Sequence, residues 1–260
     1  MQKDRDSALL LEMERLALAA GAKAMTIYAS PVAVAAKADA SPVTEADRLG
    51  EEIITDGLKA VAPGIPILAE EAVSAGEVPE LGAEFFLVDP LDGTKEFITK
   101  TGEFTVNIAL VRDGAPALGV VYAPAISKLY IGARGRGAFL RRVGEGAEPA
   151  PIRARRAPSD GLVAVASRSH RGPETDNFLS TLKIKDFAAA GSSLKFCLIA
   201  EGLADVYPRL GRTMEWDTGA GQAVLEAAGG RVLEFGTDRP LRYGKKARGF
   251  DNPHFIAWGA

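Results

Sequence analysis

Leu9, Met13, Leu16, Ala20, Ala24 and Ile27 recur at steps of three and four, which places them along one face of a helix. Pro31 follows the end of that stretch. A second helix is predicted from Thr44 to about Ala60, with Ile53, Ile54 and Leu58 turned to the core. Thr44 and, three residues on, Asp47 mark its start, because a hydroxyl and a carboxylate both accept the free amides of a first turn. Short apolar runs then predict strands at Ile65 to Ala69 and at Phe85 to Val88, the latter ending at Asp89. Phe104 to Val111 and Ala117 to Tyr122 flank Arg112-Asp113-Gly114, a hairpin-like turn. Lys128 to Gly132 and Gly137 to Leu140 continue a mainly antiparallel sheet.

Val143 to Ala157 is rich in Pro, Gly and Arg and reads as a surface connection between two halves. Beyond it, strands (Leu162 to Ala166, Asp186 to Ala190, Ala204 to Tyr207) alternate with helices (Glu174 to Leu182, Ser192 to Glu201, Trp216 to Ala228). Gly229-Gly230 stops the last helix, and Val232 to Phe235 and His254 to Trp258 are closing strands. Such alternation predicts layered α/β packing, with an N-terminal α+β half (about 1–145) and a C-terminal α/β half (about 155–260) in one domain spanning 1–260.

Composition narrows the function classes. With 260 residues, 47% of them hydrophobic, the chain can bury a core without disulfides or a structural metal. The single cysteine, Cys197, has no internal partner, which fits a reducing compartment, and on its apolar helix it reads as an inert core thiol. Met1 to Asp6 is polar and lacks the pattern of a signal peptide, and no run of about 18 apolar residues predicts a membrane span. The expected location is the cytoplasm, with peripheral association at the inner membrane left open. A net charge of −3, from 31 basic and 34 acidic residues, argues against binding a nucleic-acid polymer. A small anionic ligand needs local positive charge or metal ions instead.

Five carboxylates stand out by their setting. Glu70 and Glu71 follow one strand; Asp89 and Asp92 lie in Asp89-Pro90-Leu91-Asp92-Gly93-Thr94 after another; Asp217 opens a helix. Strand ends and helix starts are where layered α/β proteins place ligands. Oxygen donors suit magnesium, a hard cation of octahedral preference. Asp89 at a strand end can bridge two ions, Pro90 fixes the backbone so that the Leu91 carbonyl serves as a neutral ligand, and Asp92 returns to the same place after a tight turn. Gly93 permits close approach to phosphate, and Thr94 offers a hydroxyl ahead of amides that cradle an anion if a helix starts there. Each pair alone is also read as a solvated turn, a surface charge or a helix cap; their joint order along the chain makes the chemistry.

These blocks resemble the inositol-monophosphatase superfamily. Asp89-Pro90-Leu91-Asp92-Gly93-Thr94 is similar to its first signature, and Trp216-Asp217-Thr218-Gly219-Ala220-Gly221 with Ala228-Gly229-Gly230 to its second. Pro42-Val43-Thr44-Glu45-Ala46-Asp47 and Ala69-Glu70-Glu71 match two further blocks. Gly93 to Ile98 with Glu96, Ser167-Arg168-Ser169-His170, Gly191-Ser192-Ser193-Leu194-Lys195 and Asp205-Val206-Tyr207-Pro208-Arg209 resemble the bisphosphate nucleotidase branch known as CysQ. Gly219 departs from the usual Ala.

The resemblance implies the layered αβαβα sandwich of the inositol-monophosphatase and fructose-1,6-bisphosphatase sugar phosphatases. It implies two or three magnesium ions held by Glu70, Asp89, the Leu91 carbonyl, Asp92 and Asp217. Thr94 and Asp47, with Glu70, would serve the attacking water, and the Gly93 and Thr94 amides the phosphate. Ser192, Lys195, Arg209, Asp217 and, more remotely, His170 would hold the rest of the substrate. It further implies hydrolysis of the 3'-phosphate of adenosine 3',5'-bisphosphate, lithium sensitivity and a place in sulfur assimilation. An inositol-1-phosphate or other sugar-phosphate phosphatase is the alternative, and a non-catalytic, metal-dependent nucleotide-binding protein a more distant one. The three-residue spacing of Asp89 and Asp92 does not match the Asp-x-Asp-x-Thr of haloacid-dehalogenase phosphatases, and neither His170 nor His254 sits in a nucleophile motif. Apolar helices leave a homodimer open.

Overall fold

The stripe read on the first segment forms α1 (Gln2–Tyr28), with Leu9, Met13, Leu16, Ala20 and Ala24 buried. The computed structural model describes residues 2–29, 34–36, 42–144, 146, 148–166 and 172–260, with backbone alone for 34–36 and 42–44; Pro31 falls outside them. A short antiparallel hairpin, β1 (Val34–Ala36) and β2 (Pro42–Thr44), precedes α2 (Glu45–Val61). In α2, Ile54 and Leu58 are buried and Ile53 half-buried.

β3 (Ile67–Ala69) leads into the five-residue helix α3 (Glu70–Ser74) and lies parallel to β4 (Glu84–Asp92). A second five-residue helix, α4 (Thr94–Ile98), follows. Then β5 (Thr105–Arg112), β6 (Ala115–Ala123), β7 (Lys128–Ala133), β8 (Gly137–Arg142) and β9 (Ala150–Ile152) form an antiparallel meander. The β5–β6 connection is a two-residue turn in which Asp113 and Gly114 take φ of 49° and 73°. Positive φ at both central residues matches the twist of a hairpin, and Asp-Gly tolerates it best.

One expectation is corrected here. Val143 to Ala157 is not connection throughout, because Ala150–Ile152 pairs with β8 as the seventh and last strand of this sheet. Pro151 sits opposite Phe139, on an edge strand bonded along one side, where a missing N–H is tolerated.

The second half runs β10 (Leu162–Ala166), α5 (Pro173–Ser180), β11 (Ile184–Ala189), α6 (Leu194–Ala200), β12 (Val206–Arg209), α7 (Glu215–Ala227), β13 (Arg231–Glu234) and β14 (Phe255–Trp258). Its five strands take the order β11-β10-β12-β14-β13, parallel among the first three and antiparallel at β14.

The layers follow from where apolar faces meet. α1 and α2 cover one face of the seven-stranded sheet through Leu16, Leu58, Phe86, Ile108 and Val120. α7 lies on its other face, and α6 and α7 fill the space between the two sheets with Leu87, Val121, Phe196, Tyr207, Val224 and Phe255. α5 closes the outer face of the second sheet through Leu179 against Ala164, Val206 and Ile256. The result is the expected αβαβα layering.

Candidate active site

In a regular strand Asp89 and Asp92, three apart, would point to opposite faces. Here Asp89 pairs with Asn107 and Asp92 with Thr105, so β4 advances three residues while β5 advances two. The extra residue is a bulge at Pro90-Leu91, and it turns both aspartates to one side. Pro90 has no N–H to strand there, and the Leu91 amide donates to Asp89 Oδ1 at 3.0 Å. The Leu91 side chain is buried with Ala46, Phe97 and Phe104, which anchors the bulge, while its carbonyl accepts from Thr94 Oγ1 at 3.4 Å.

Gly93 takes φ 94°, and a Cβ there would lie 2.2 Å from Ser192 Oγ, so glycine is needed for both conformation and space. Ser192, itself at φ 51°, lies with Oγ 2.7 Å from the Asp92 carbonyl and 2.8 Å from the Glu103 carbonyl. Its one hydroxyl proton is directed at backbone, leaving oxygen lone pairs for anything else. The next residue, Ser193, donates its hydroxyl to the Asp217 carbonyl at 2.8 Å and its amide to Asp92. This turn therefore joins the β4 loop to the first turn of α7.

Glu70 leaves β3 beside Asp89, since Ala69 pairs with Val88. Asp217, half-buried in the first turn of α7, accepts from the Met214 amide at 2.9 Å. Asp47 is fully buried in the first turn of α2. The acids act on one another. Burial, then Glu70, Asp92, Asp217 and Asp47 in turn, hold Asp89 well above the usual carboxylate range. Burial, then Asp92 and Glu70, do the same to Asp217, against the Met214 amide and Arg209. Asp92 is pushed up to about 6, by burial first; Lys195, the Ser193 amide and Asn107 oppose the rise. Among the described residues no three His, Cys, Asp or Glu side chains stand close enough together to hold a metal ion as they are placed. The three raised acids share one electrostatic field.

Two cations border them. Lys195 is 6% exposed, donates to the Ser192 carbonyl at 2.8 Å and lies 5.5 Å from the Tyr207 ring centre. Burial lowers it to about 8, while Asp92 holds its charge. Arg209 ends β12; its Nη2 donates to the Arg212 carbonyl at 2.6 Å, and its Nε is buried without an acceptor. Glu70, Asp47, Lys195 and Arg209 thus lie within electrostatic reach of Asp89, Asp92 or Asp217, with Gly93, Thr94 and Ser192 in the turn beside Asp92. His170 lies outside the described residues.

Three neighbours escaped the sequence reading. Asn107 donates to Asp92 Oδ2 at 3.3 Å, and Thr105 stands opposite Asp92 in β5. Both are buried, and their spacing of two within an otherwise apolar strand was a usable signal. The third, Glu51, accepts from the Glu71 and Ala72 amides at 2.7 and 2.8 Å. It lies one helical turn after Asp47, and no motif marks it in the sequence.

The sequence matches the inositol monophosphatase family over residues 6–253. It is 44% identical over 249 residues to the 3'(2'),5'-bisphosphate nucleotidase CysQ of Escherichia coli strain K12, covering 95% of this chain and 98% of the relative. It is 33% identical over 257 residues to that of Haemophilus influenzae, covering 96% and 93%. Among solved structures, CysQ from Bacteroides thetaiotaomicron superposes with a TM-score of 0.81 at 39% identity, covering 97% of each chain. An inositol monophosphatase from Anabaena (Nostoc) sp. PCC 7120 gives 0.74 at 27%, covering 97% of this chain and 90% of that one. The chain belongs to the inositol monophosphatase family and, within it, to the CysQ branch.

Proposed function

We propose that this phosphatase is a magnesium-dependent 3'(2'),5'-bisphosphate nucleotidase that converts adenosine 3',5'-bisphosphate and water to AMP and inorganic phosphate. The observation that carries the reading is a set of acids, Asp89, Asp92 and Asp217, raised by burial, by one another and by Glu70, beside buried Lys195 and half-buried Arg209. Carboxylates held this way need a counter-charge. An all-oxygen donor set fits a hard divalent cation, with Glu70, Asp89, the Leu91 carbonyl, Asp92 and Asp217 holding two or three ions. Magnesium bound there supplies charge neutralisation, a more acidic water and stabilisation of the leaving oxygen.

The chain's own groups do the rest. Thr94 and Asp47 orient the attacking water, Asp47 taking its proton. The Gly93 and Thr94 amides hold the transferred phosphate, with Asp217 on the side of the leaving 3'-oxygen. The new bond forms from water oxygen to phosphorus, the bond to the 3'-oxygen breaks, and a proton ends on the 3'-hydroxyl. Lys195 and Arg209 pair with the second phosphate, Arg209 through donors that include its acceptor-free Nε. The names of the CysQ relatives support this substrate.

Phosphate release should be measured on adenosine 3',5'-bisphosphate, inositol 1-phosphate and fructose 1,6-bisphosphate, with magnesium, with EDTA and with added lithium. The nucleotide should give the highest kcat/KM, EDTA should abolish release, and lithium should inhibit it. A higher kcat/KM for either sugar phosphate would move the assignment to the sugar-phosphate reading. Binding of nucleotide without any release would make the protein a receptor.

A further inference from the structure

α3 begins at the end of β3 with an N-cap that cannot cap. Ala69 has the extended backbone of an N-cap residue, φ −117° and ψ 145°, and no side-chain oxygen to accept the amides of the first turn. Those amides belong to Glu71 and Ala72. Both are taken by Glu51, which reaches from α2 with one carboxylate oxygen on each, at 2.7 and 2.8 Å. Glu51 is 8% exposed and thus spends a buried carboxylate on this contact. Its place is fixed on the same helix as Asp47, four residues earlier and so on the same face. Between them Gly50 allows close packing on the bulge, since a Cβ there would stand 3.2 Å from Pro90. α2 therefore braces both acid-bearing segments from behind.

We infer that Glu51 is a positioning residue: docked on two α3 amides, it fixes the direction in which Glu70 leaves β3 and so sets how tightly the acidic site holds a divalent cation. Both Glu51 carboxylate oxygens are taken by these amides, so its part is to position rather than to ligate. Ala69 makes this dependence specific, because α3 lacks the local cap that would make α2's contribution redundant. The inference rests on the reading of Glu70 as a metal ligand, and its test separates the two.

The test compares wild type with Glu51→Gln, Glu70→Gln, Ala69→Ser and the Ala69→Ser/Glu51→Gln pair. Gln keeps the shape but presents an N–H₂ to one amide and loses that bond. The readouts are calorimetric binding of manganese, the rise in Tm on adding magnesium, and the magnesium dependence of phosphate release. Glu51→Gln should weaken manganese binding and raise the half-saturating magnesium concentration about tenfold, as loss of a supporting contact to a metal site does. At saturating magnesium its KM for the nucleotide should stay near the wild-type value. Ala69→Ser places a hydroxyl at the N-cap and should restore much of the lost affinity in the pair. Glu51→Gln with lowered Tm but wild-type manganese affinity would overturn the inference, leaving Glu51 a plain structural brace. If Glu70→Gln also binds manganese normally, the ligand reading itself has failed. Should Glu51→Gln not fold alone, the pair compared with Ala69→Ser gives the same comparison, with unchanged affinity again counting against it.

Discussion

At the scale of single residues, Asp89 carries opposed duties. Burial and four neighbouring acids make its charge costly, and the same charge makes it the strongest candidate to bridge two cations. Asp89→Asn should therefore cut the rate about 10²-fold or more, about 2.7 kcal/mol of transition-state stabilisation. In EDTA the same variant should melt higher than wild type, because one member of a repelling set is gone. Kinetics at fixed magnesium and melting curves in EDTA check the two halves. Lys195 and Arg209 separate substrate classes instead. Lys195→Ala combined with Arg209→Ala should raise KM for adenosine 3',5'-bisphosphate at least about tenfold, the size expected when charge-assisted bonds are lost. KM for a simple phosphomonoester should change far less, and equal effects on both would count against a second-phosphate site there.

At the scale of elements, the acids stay together only if α7 keeps its seat on the seven-stranded sheet. A Cβ at Gly132 would lie 2.5 Å from Val224 Cα and 2.7 Å from the Ala223 carbonyl, backbone that cannot turn aside. Gly132→Ala should cost about 1–3 kcal/mol by overpacking, and it should lower kcat as well, since Asp217 rides on the start of the displaced helix. Thermal melts paired with kinetics on the folded fraction test this; loss of stability with unchanged kcat would show that α7 shifts without moving Asp217. The helix seat was legible in part: the apolar periodicity of the α7 stretch and its closing glycines are visible in the sequence. The bulge in β4 was not, because Phe85 to Val88 looked complete at Asp89, and only the pairing with β5 reveals that the strand runs on through Pro90 to Asp92. β9 was hidden by Pro151, a strand breaker everywhere except on an edge. Glu51 was hidden for another reason, since its partners are main-chain amides of a distant helix, which no side-chain pattern announces.

At the scale of the molecule, the acids come from both halves of the fold, Glu70, Asp89 and Asp92 from the first and Asp217 from the second. Their repulsion therefore acts between the two layers of the core. The folded-state pKa values of Asp89, Asp92 and Asp217 lie above the ordinary 3.8, with Asp92 at about 6. A carboxylate raised in this way contributes stability that is fully present below its unfolded pKa and is lost as pH rises through the folded one. Metal-free protein should thus lose Tm as pH climbs from about 4 through about 6, and Glu51, pushed up to about 7 chiefly by burial, adds its own loss towards neutral pH. Asp6 and Asp205 are lowered instead, Asp6 chiefly by its bond to Arg112, Asp205 because its Arg155 and Val163 bonds outweigh burial; they lose stability only as pH falls below the ordinary carboxylate range, outside this window. Lys195, lowered to about 8, is relieved only above that pH. Magnesium at a hundredfold over its Kd should add about 2.7 kcal/mol at neutral pH, roughly 5–10 °C of Tm for a chain of this size, and flatten the decline. A melting curve in EDTA that stays level or rises between those pH values would mean that the acids do not repel across the two halves, and the counter-charge argument for a divalent cation would go with it.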